Sequence, residues 1–154
     1  MKLYLVQHGE AAPTADSDER ELTEDGRYDV ESIAEFLKDA GITVDRVIHS
    51  GKRRALQTAQ ILGSALAGDA TLETSSMIEP NAPPEPFARE VGELSADTMV
   101  VGHMPFVARL VAYFTTGAAD RIVTTYHPGS IVCLERETGG QWTIAWMLRP
   151  ELFL

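Results

Sequence analysis

The sequence predicts an α/β domain built as a three-layer αβα sandwich, with a mostly parallel central sheet and an antiparallel C-terminal hairpin. Short apolar runs alternate with segments of helical period along most of the chain, the pattern of a parallel sheet covered by helices on both faces. Three of these runs deliver polar or charged residues just as a helix begins: those before Gln7-His8-Gly9, before His49-Ser50 and before Gly102-His103. The tail instead carries two period-2 segments around Gly139-Gly140, the pattern of a hairpin. At 154 residues, with no repeat, low-complexity tract or linker, residues 1–154 read as one domain.

Residues 2–7 form the first expected strand, an apolar run bounded by Gly9. Residues 11–21 are rich in Pro, Asp and Glu and read as a loop. Thr23 is placed to cap a helix whose first turn holds Glu24 and Asp25, where the helix dipole favours anions. Val30, Ile33, Ala34 and Leu37 recur at helical spacing until Gly41. Residues 44–49 are a second strand, and 52–66 a second helix with Ala55, Ala59, Leu62 and Leu66 on one face. A strand is expected over 71–78. Pro80, Pro83, Pro84 and Pro86 then enforce a loop before a helix of about 85–95. Thr98–Val101 is a short buried strand, and 105–116 an apolar helix with Pro105 near its first turn. Residues 130–135 and 142–148 complete the hairpin, with alternating Trp142, Ile144, Trp146 and Leu148 expected on one covered face.

The formal net charge of −10 disfavours nucleic-acid or membrane binding through a general basic field. It also sets off Lys52-Arg53-Arg54 as a local basic cluster suited to an anion, the alternative being a solvated helix face. No apolar run approaches a membrane span, and core strand begins by residue 3, so a cytoplasmic location is expected. The single Cys133 lies in an apolar run and reads as a small buried hydrophobe.

The three strand ends would bring His8, Arg54 and His103 into one crevice. A neutral histidine aimed at phosphorus is a nucleophile. A guanidinium fork suits phosphate oxygens, and a protonated second histidine would add charge and a donor. Together they make a phosphoryl-transfer site. Gly9 would let backbone approach a ligand. The competing reading is zinc held by His8, His49, His103 and Glu10, which no HExxH or paired-histidine spacing supports.

Gln7-His8-Gly9-Glu10, Leu22-Thr23-Glu24-Asp25-Gly26, Ser50 to Ala59 and Gly102-His103-Met104-Pro105 together resemble the histidine phosphatase superfamily, which also holds the cofactor-dependent phosphoglycerate mutases. Small size and the short segment before residue 98 resemble its SixA-type phosphohistidine phosphatases. The resemblance runs from residue 3 to about residue 148. It implies that His8 is transiently phosphorylated, that Arg54 binds phosphate within the Arg-Ala-x-Gln-Thr-Ala signature, and that His103 stabilises the transferring group. It also implies no metal and no cofactor. Ser50 and Gln57 read as turn and helix residues rather than substrate contacts.

One position departs from the family. Where it writes Arg-His-Gly, this chain has Gln7-His8-Gly9, so phosphate binding involves Gln7, Gly9, Arg54 and His103 with one charge fewer. A hydrogen bond to a charged group contributes about 1.5–3 kcal/mol, so the exchange is expected to weaken phosphate binding roughly ten- to hundredfold unless Lys52, Arg53 or Arg20 compensates. Glu79 and Glu10 are the candidate proton donors, with solvated loop carboxylates as the alternative. The expected substrate is phosphohistidine in a partner protein. The alternatives are a small phosphate ester, or a weakened site that binds phosphate or phosphoproteins without turnover.

Overall fold

The structure, a computed structural model, describes residues 1–153. One six-stranded sheet runs in the order β3-β2-β4-β1-β5-β6. Its strands are β1 (Lys2–Gln7), β2 (Arg46–His49), β3 (Leu72–Thr74), β4 (Thr98–Gly102), β5 (Ile131–Arg136) and β6 (Trp142–Leu148). Neighbours pair in parallel from β3 to β1; β5 runs antiparallel to β1, and β6 antiparallel to β5. The helices are α1 (Glu24–Asp39), α2 (Arg53–Leu66), α3 (Pro84–Gly92) and α4 (Phe106–Thr116). None among the described residues is long and apolar enough to cross a membrane.

Strand alternation divides the core in two. Tyr4 and Val6 of β1 pack with Val30, Ile33 and Leu37 of α1 and Ala55, Ala59 and Leu62 of α2. Leu3 and Leu5, pointing the other way, pack with Phe87 and Val91 of α3 and Phe106, Leu110 and Val111 of α4. Helices therefore cover both faces, as expected.

Two local expectations are corrected. The strand expected over 71–78 ends at Thr74, and Ser76–Ile78 form a 3₁₀ turn started by Ser75, whose Oγ accepts the Met77 N–H at 3.1 Å. The hydroxyl offers the backbone an alternative to the ladder. In β6 the four alternating apolar residues do not share a face. Cys133 pairs with Trp146 but Leu134 with Ile144, so one residue, Ala145, is extra. An extra residue reverses the facing of all that follows. Trp142 joins the α3/α4 core, Trp146 and Leu148 pack on the α1/α2 core, and Ile144 is left 42% exposed.

Helix α1 is capped by Thr23, whose Oγ1 accepts the Gly26 N–H at 2.9 Å. Gly26 faces the chain leaving β1, and a Cβ there would lie 2.2 Å from the Glu10 carbonyl oxygen. Gly26→Ala should therefore destabilise the fold by about 1–3 kcal/mol through overpacking, despite alanine's better helix propensity. Urea denaturation checks this; an unchanged or higher midpoint would show that residues 9–11 have room to give.

Candidate active site

The carboxyl ends of three adjacent strands, β2, β4 and β1, set the site. Gln7 of β1 lies beside Gly102 of β4, and His49 of β2 beside Val101, so the next residues (His8, His103 and Ser50) emerge together. His8 and His103 border a cavity of about 330 Å³, also lined by Gln7, Glu10, Arg20, Arg54 and Pro80, among others. The ring centroids of His8 and His103 are 5.1 Å apart. Gln7, His8, Arg54 and His103 are all buried.

The tautomer of His8 follows from its partner. Nδ1 lies 2.7 Å from the Gly9 carbonyl oxygen, which can only accept, so Nδ1 carries the proton. Nε2 then holds the free lone pair. Burial is the main cause that pushes the His8 pKa down to about 4, and the charges of Arg54 and Arg20 act in the same direction. The Gly9 peptide is held in turn by α2: its N–H donates to Thr58 Oγ1 at 3.0 Å, and that hydroxyl donates to the Arg54 carbonyl at 2.8 Å. Thr58 is thus a positioning residue that sequence reasoning passed over. Its signal is a hydroxyl four residues beyond Arg54, the spacing of back-bonding within a helix.

Gly9 does not line the cavity. Its amide is engaged by Thr58, and a Cβ on it would lie 2.8 Å from Val30 Cγ2. The glycine serves close approach of α1, not of a ligand, which corrects its expected phosphate-binding role. His103 also differs from expectation. Burial, then the charges facing it from His8, Arg54 and Lys52, push its pKa down to about 3, so it is neutral at neutral pH in the free protein. Its Nε2 is 2.6 Å from Ser50 Oγ, making Ser50 a direct partner of a site histidine as well as a turn residue. Gln57, as expected, is structural: its Oε1 accepts the Leu22 N–H at 2.8 Å.

The basic cluster splits. Lys52 Nζ pairs with Asp18 at 2.7 Å and Glu79 at 3.0 Å, and Arg53 with Glu19 and Glu21. Arg54 alone of the three lines the cavity, with Nη1 donating to the Ser17 carbonyl at 2.6 Å. Successive helical residues point about 100° apart, which sends the three cations in different directions. Glu79, tied to Lys52, does not line the cavity; Glu10 does, its Oε1 accepting from Thr23 Oγ1 at 2.8 Å. His49 is turned away, its Nδ1 accepting the Gly51 N–H at 3.0 Å. Among the described residues no three His, Cys, Asp or Glu side chains converge in a metal-binding group.

Three buried polar atoms of cavity residues lack a hydrogen-bond partner in the protein: Gln7 Oε1, Arg54 Nε and His103 Nδ1. Buried polar groups are seldom left so, and all three belong to residues of the cavity wall, with the atoms themselves enclosed by protein. The arrangement can present a neutral imidazole lone pair beside fixed cations, the equipment for attack on phosphorus.

The two depressed histidines make stability pH-dependent. In the unfolded chain each binds a proton below its ordinary value of 6.5, while in the fold His8 stays neutral to about 4 and His103 to about 3. Their contribution is fully present above pH 6.5. As pH falls from 6.5 toward 4 it is lost, by at most about 1.4 kcal/mol per pH unit for each histidine. Urea midpoints between pH 7 and 5 should fall more steeply for the native protein than for His103→Gln; equal slopes would refute the burial argument.

The model of the histidine phosphatase superfamily (branch 1) matches residues 3–79, half of the chain. The phosphohistidine phosphatase SixA of Escherichia coli (strain K12) is 29% identical over 162 aligned residues, covering 97% of this chain and 94% of that protein. Among solved structures, the protein histidine phosphatase SixA complexed with tungstate superposes with a TM-score of 0.90 at 24% identity, with both chains fully covered. The alpha-ribazole phosphatase of Shigella flexneri reaches 0.78 at 15% identity, with 97% of each chain covered. At such identities the structural likenesses establish the fold alone.

Proposed function

Because the chain belongs to the histidine phosphatase superfamily, we propose that it is a phosphatase working through a phosphohistidine on His8, and that its substrate is phosphohistidine in a partner protein. The observation that carries this reading is the fixed tautomer of His8, whose unprotonated Nε2 belongs to a cavity shared with Arg54 and His103. The lone pair of Nε2 attacks phosphorus, and the bond from phosphorus to the substrate imidazole breaks. The bonding pair leaves with that imidazole, which takes up a proton. Water then attacks phospho-His8, releasing phosphate and restoring the free ring. Arg54 neutralises phosphoryl oxygens throughout, and the arriving dianion favours protonation of His103 beside it.

Two features support a protein phosphohistidine over a phosphate ester. An imidazole leaves readily once protonated, so little is asked of a general acid. That suits a cavity whose one lining carboxylate, Glu10, is exposed and hydrogen-bonded to Thr23. The segment between the Ser76–Ile78 turn and α3 is short and contributes only Pro80 to the cavity lining, so no inserted cover excludes a protein side chain. The name of the Escherichia coli relative points the same way.

The test compares release of phosphate from a phosphohistidine-bearing protein and from p-nitrophenyl phosphate. A kcat/KM higher on the phosphoprotein is expected. The reverse order would favour a small-molecule phosphomonoesterase. Tight phosphate binding with no release from either substrate would leave a binding module.

A further inference from the structure

The residue before the nucleophile poses a charge problem. Gln7 is buried in the cavity wall and carries no charge where the family has arginine. Of the three cations that sequence alone offers as substitutes, Lys52 and Arg53 are ion-paired to carboxylates and do not line the cavity. Arg20 does line it, and forms no ion pair among the described residues, in a chain with ten more negative than positive charges.

Arg20 is also fixed in place. Its Nη2 donates to the Ala11 carbonyl at 3.1 Å and its Nε to the Ala12 carbonyl at 3.3 Å. Those carbonyls belong to a loop closed on itself by the Ala11–Leu22 bridge, by the Ala12 N–H on the Glu21 carbonyl (2.8 Å) and by the Thr23 N–H on the Glu10 carbonyl (3.0 Å). Two anchors set the guanidinium plane and leave the Nη1 donors without a partner in the protein among the described residues. Arg20's charge is felt at both neighbours, lowering the pKa of His8 and of Arg54. Two like charges on one cavity, neither matched by a carboxylate within it at ion-pair distance, repel until a dianion lies between them.

We propose that Arg20, held by the Ala11 and Ala12 carbonyls, is the second phosphate-binding guanidinium of the cavity and supplies the charge that Gln7 lacks. With Arg54 it brackets a phosphoryl dianion from the loop side while Gln7 contributes only a neutral amide. The inference rests on the phosphatase reading for the identity of the ligand, but its test does not require turnover.

The experiment titrates inorganic phosphate into the native protein, Arg20→Gln, Gln7→Arg and the double variant, by calorimetry at fixed ionic strength. Arg20→Gln keeps an amide donor and removes the charge; it should weaken phosphate binding roughly ten- to hundredfold. Adding Gln7→Arg to it should restore affinity to near the native value, a rescue that mere loop support by Arg20 would not show. Urea midpoints identify any variant that fails to fold, and Arg20→Lys, retaining charge, should then keep most of the affinity. Phosphate affinity within twofold of native in folded Arg20→Gln overturns the proposal, as does a double variant no tighter than Arg20→Gln. Arg20-dependent phosphate binding without hydrolysis of any substrate would keep this inference and remove the phosphatase reading. Turnover with KM and phosphate affinity indifferent to Arg20 would do the opposite.

Discussion

His8→Ala should reduce turnover by on the order of 10⁴-fold or more, the largest effect of any single substitution in this chain. The substitution removes the one nitrogen whose lone pair is fixed by the Gly9 carbonyl, so no covalent intermediate can form. Rapid acid-free quenching followed by phosphorus NMR should show a phosphoramidate signal in the native protein and none in the variant. Because His8 is buried, the variant's urea midpoint must be measured alongside. A folded His8→Ala protein with native rates would eliminate the covalent route. Phosphate binding in the same variant should persist, since Arg54 and Arg20 remain in the cavity wall.

Arg54→Ala should lower kcat roughly 10²–10³-fold, the usual cost of deleting one preorganised donor to a developing charge. The loss should be only partly recovered by Arg54→Lys, because an ammonium cannot hold the Ser17 carbonyl and present a planar fork to phosphate at once. Arg54 also lines the cavity, so its contribution to affinity should appear on phosphate binding as well as on rate. Equal losses for Arg54→Ala and Arg53→Ala would overturn the division of labour within the basic cluster, since Arg53 is spent on Glu19 and Glu21.

Much of the site was legible in order along the chain. An apolar run that stops at Gln7-His8-Gly9, and another that stops at Gly102-His103, announce strand ends because hydrophobic period and glycine are local properties. The helix start at Thr23 and the paired faces of α1 and α2 were legible for the same reason. Other features were hidden. One extra residue at Ala145 turns Trp142 and Trp146 to opposite faces, and an alternation count across 142–148 does not register where a ladder skips. Gly9 reads the same whether its missing side chain makes room for phosphate or, as here, for Val30.

From its sequence alone this chain could be known as an α/β domain with two histidines and an arginine delivered to one end of a parallel sheet, one arginine short of its family's pattern. Periodicity, caps and strand ends depend on neighbours within a few residues, and these fix the elements and their order. Which cation faces the cavity, and whether each histidine is charged, was decided only by the tertiary structure. Lys52 and Arg53 are neutralised by carboxylates more than twenty residues away, Arg20 is aimed by carbonyls across a closed loop, and His8 and His103 are kept neutral chiefly by burial. Charge pairing and desolvation are sums over everything that packs nearby, and no local pattern contains that sum.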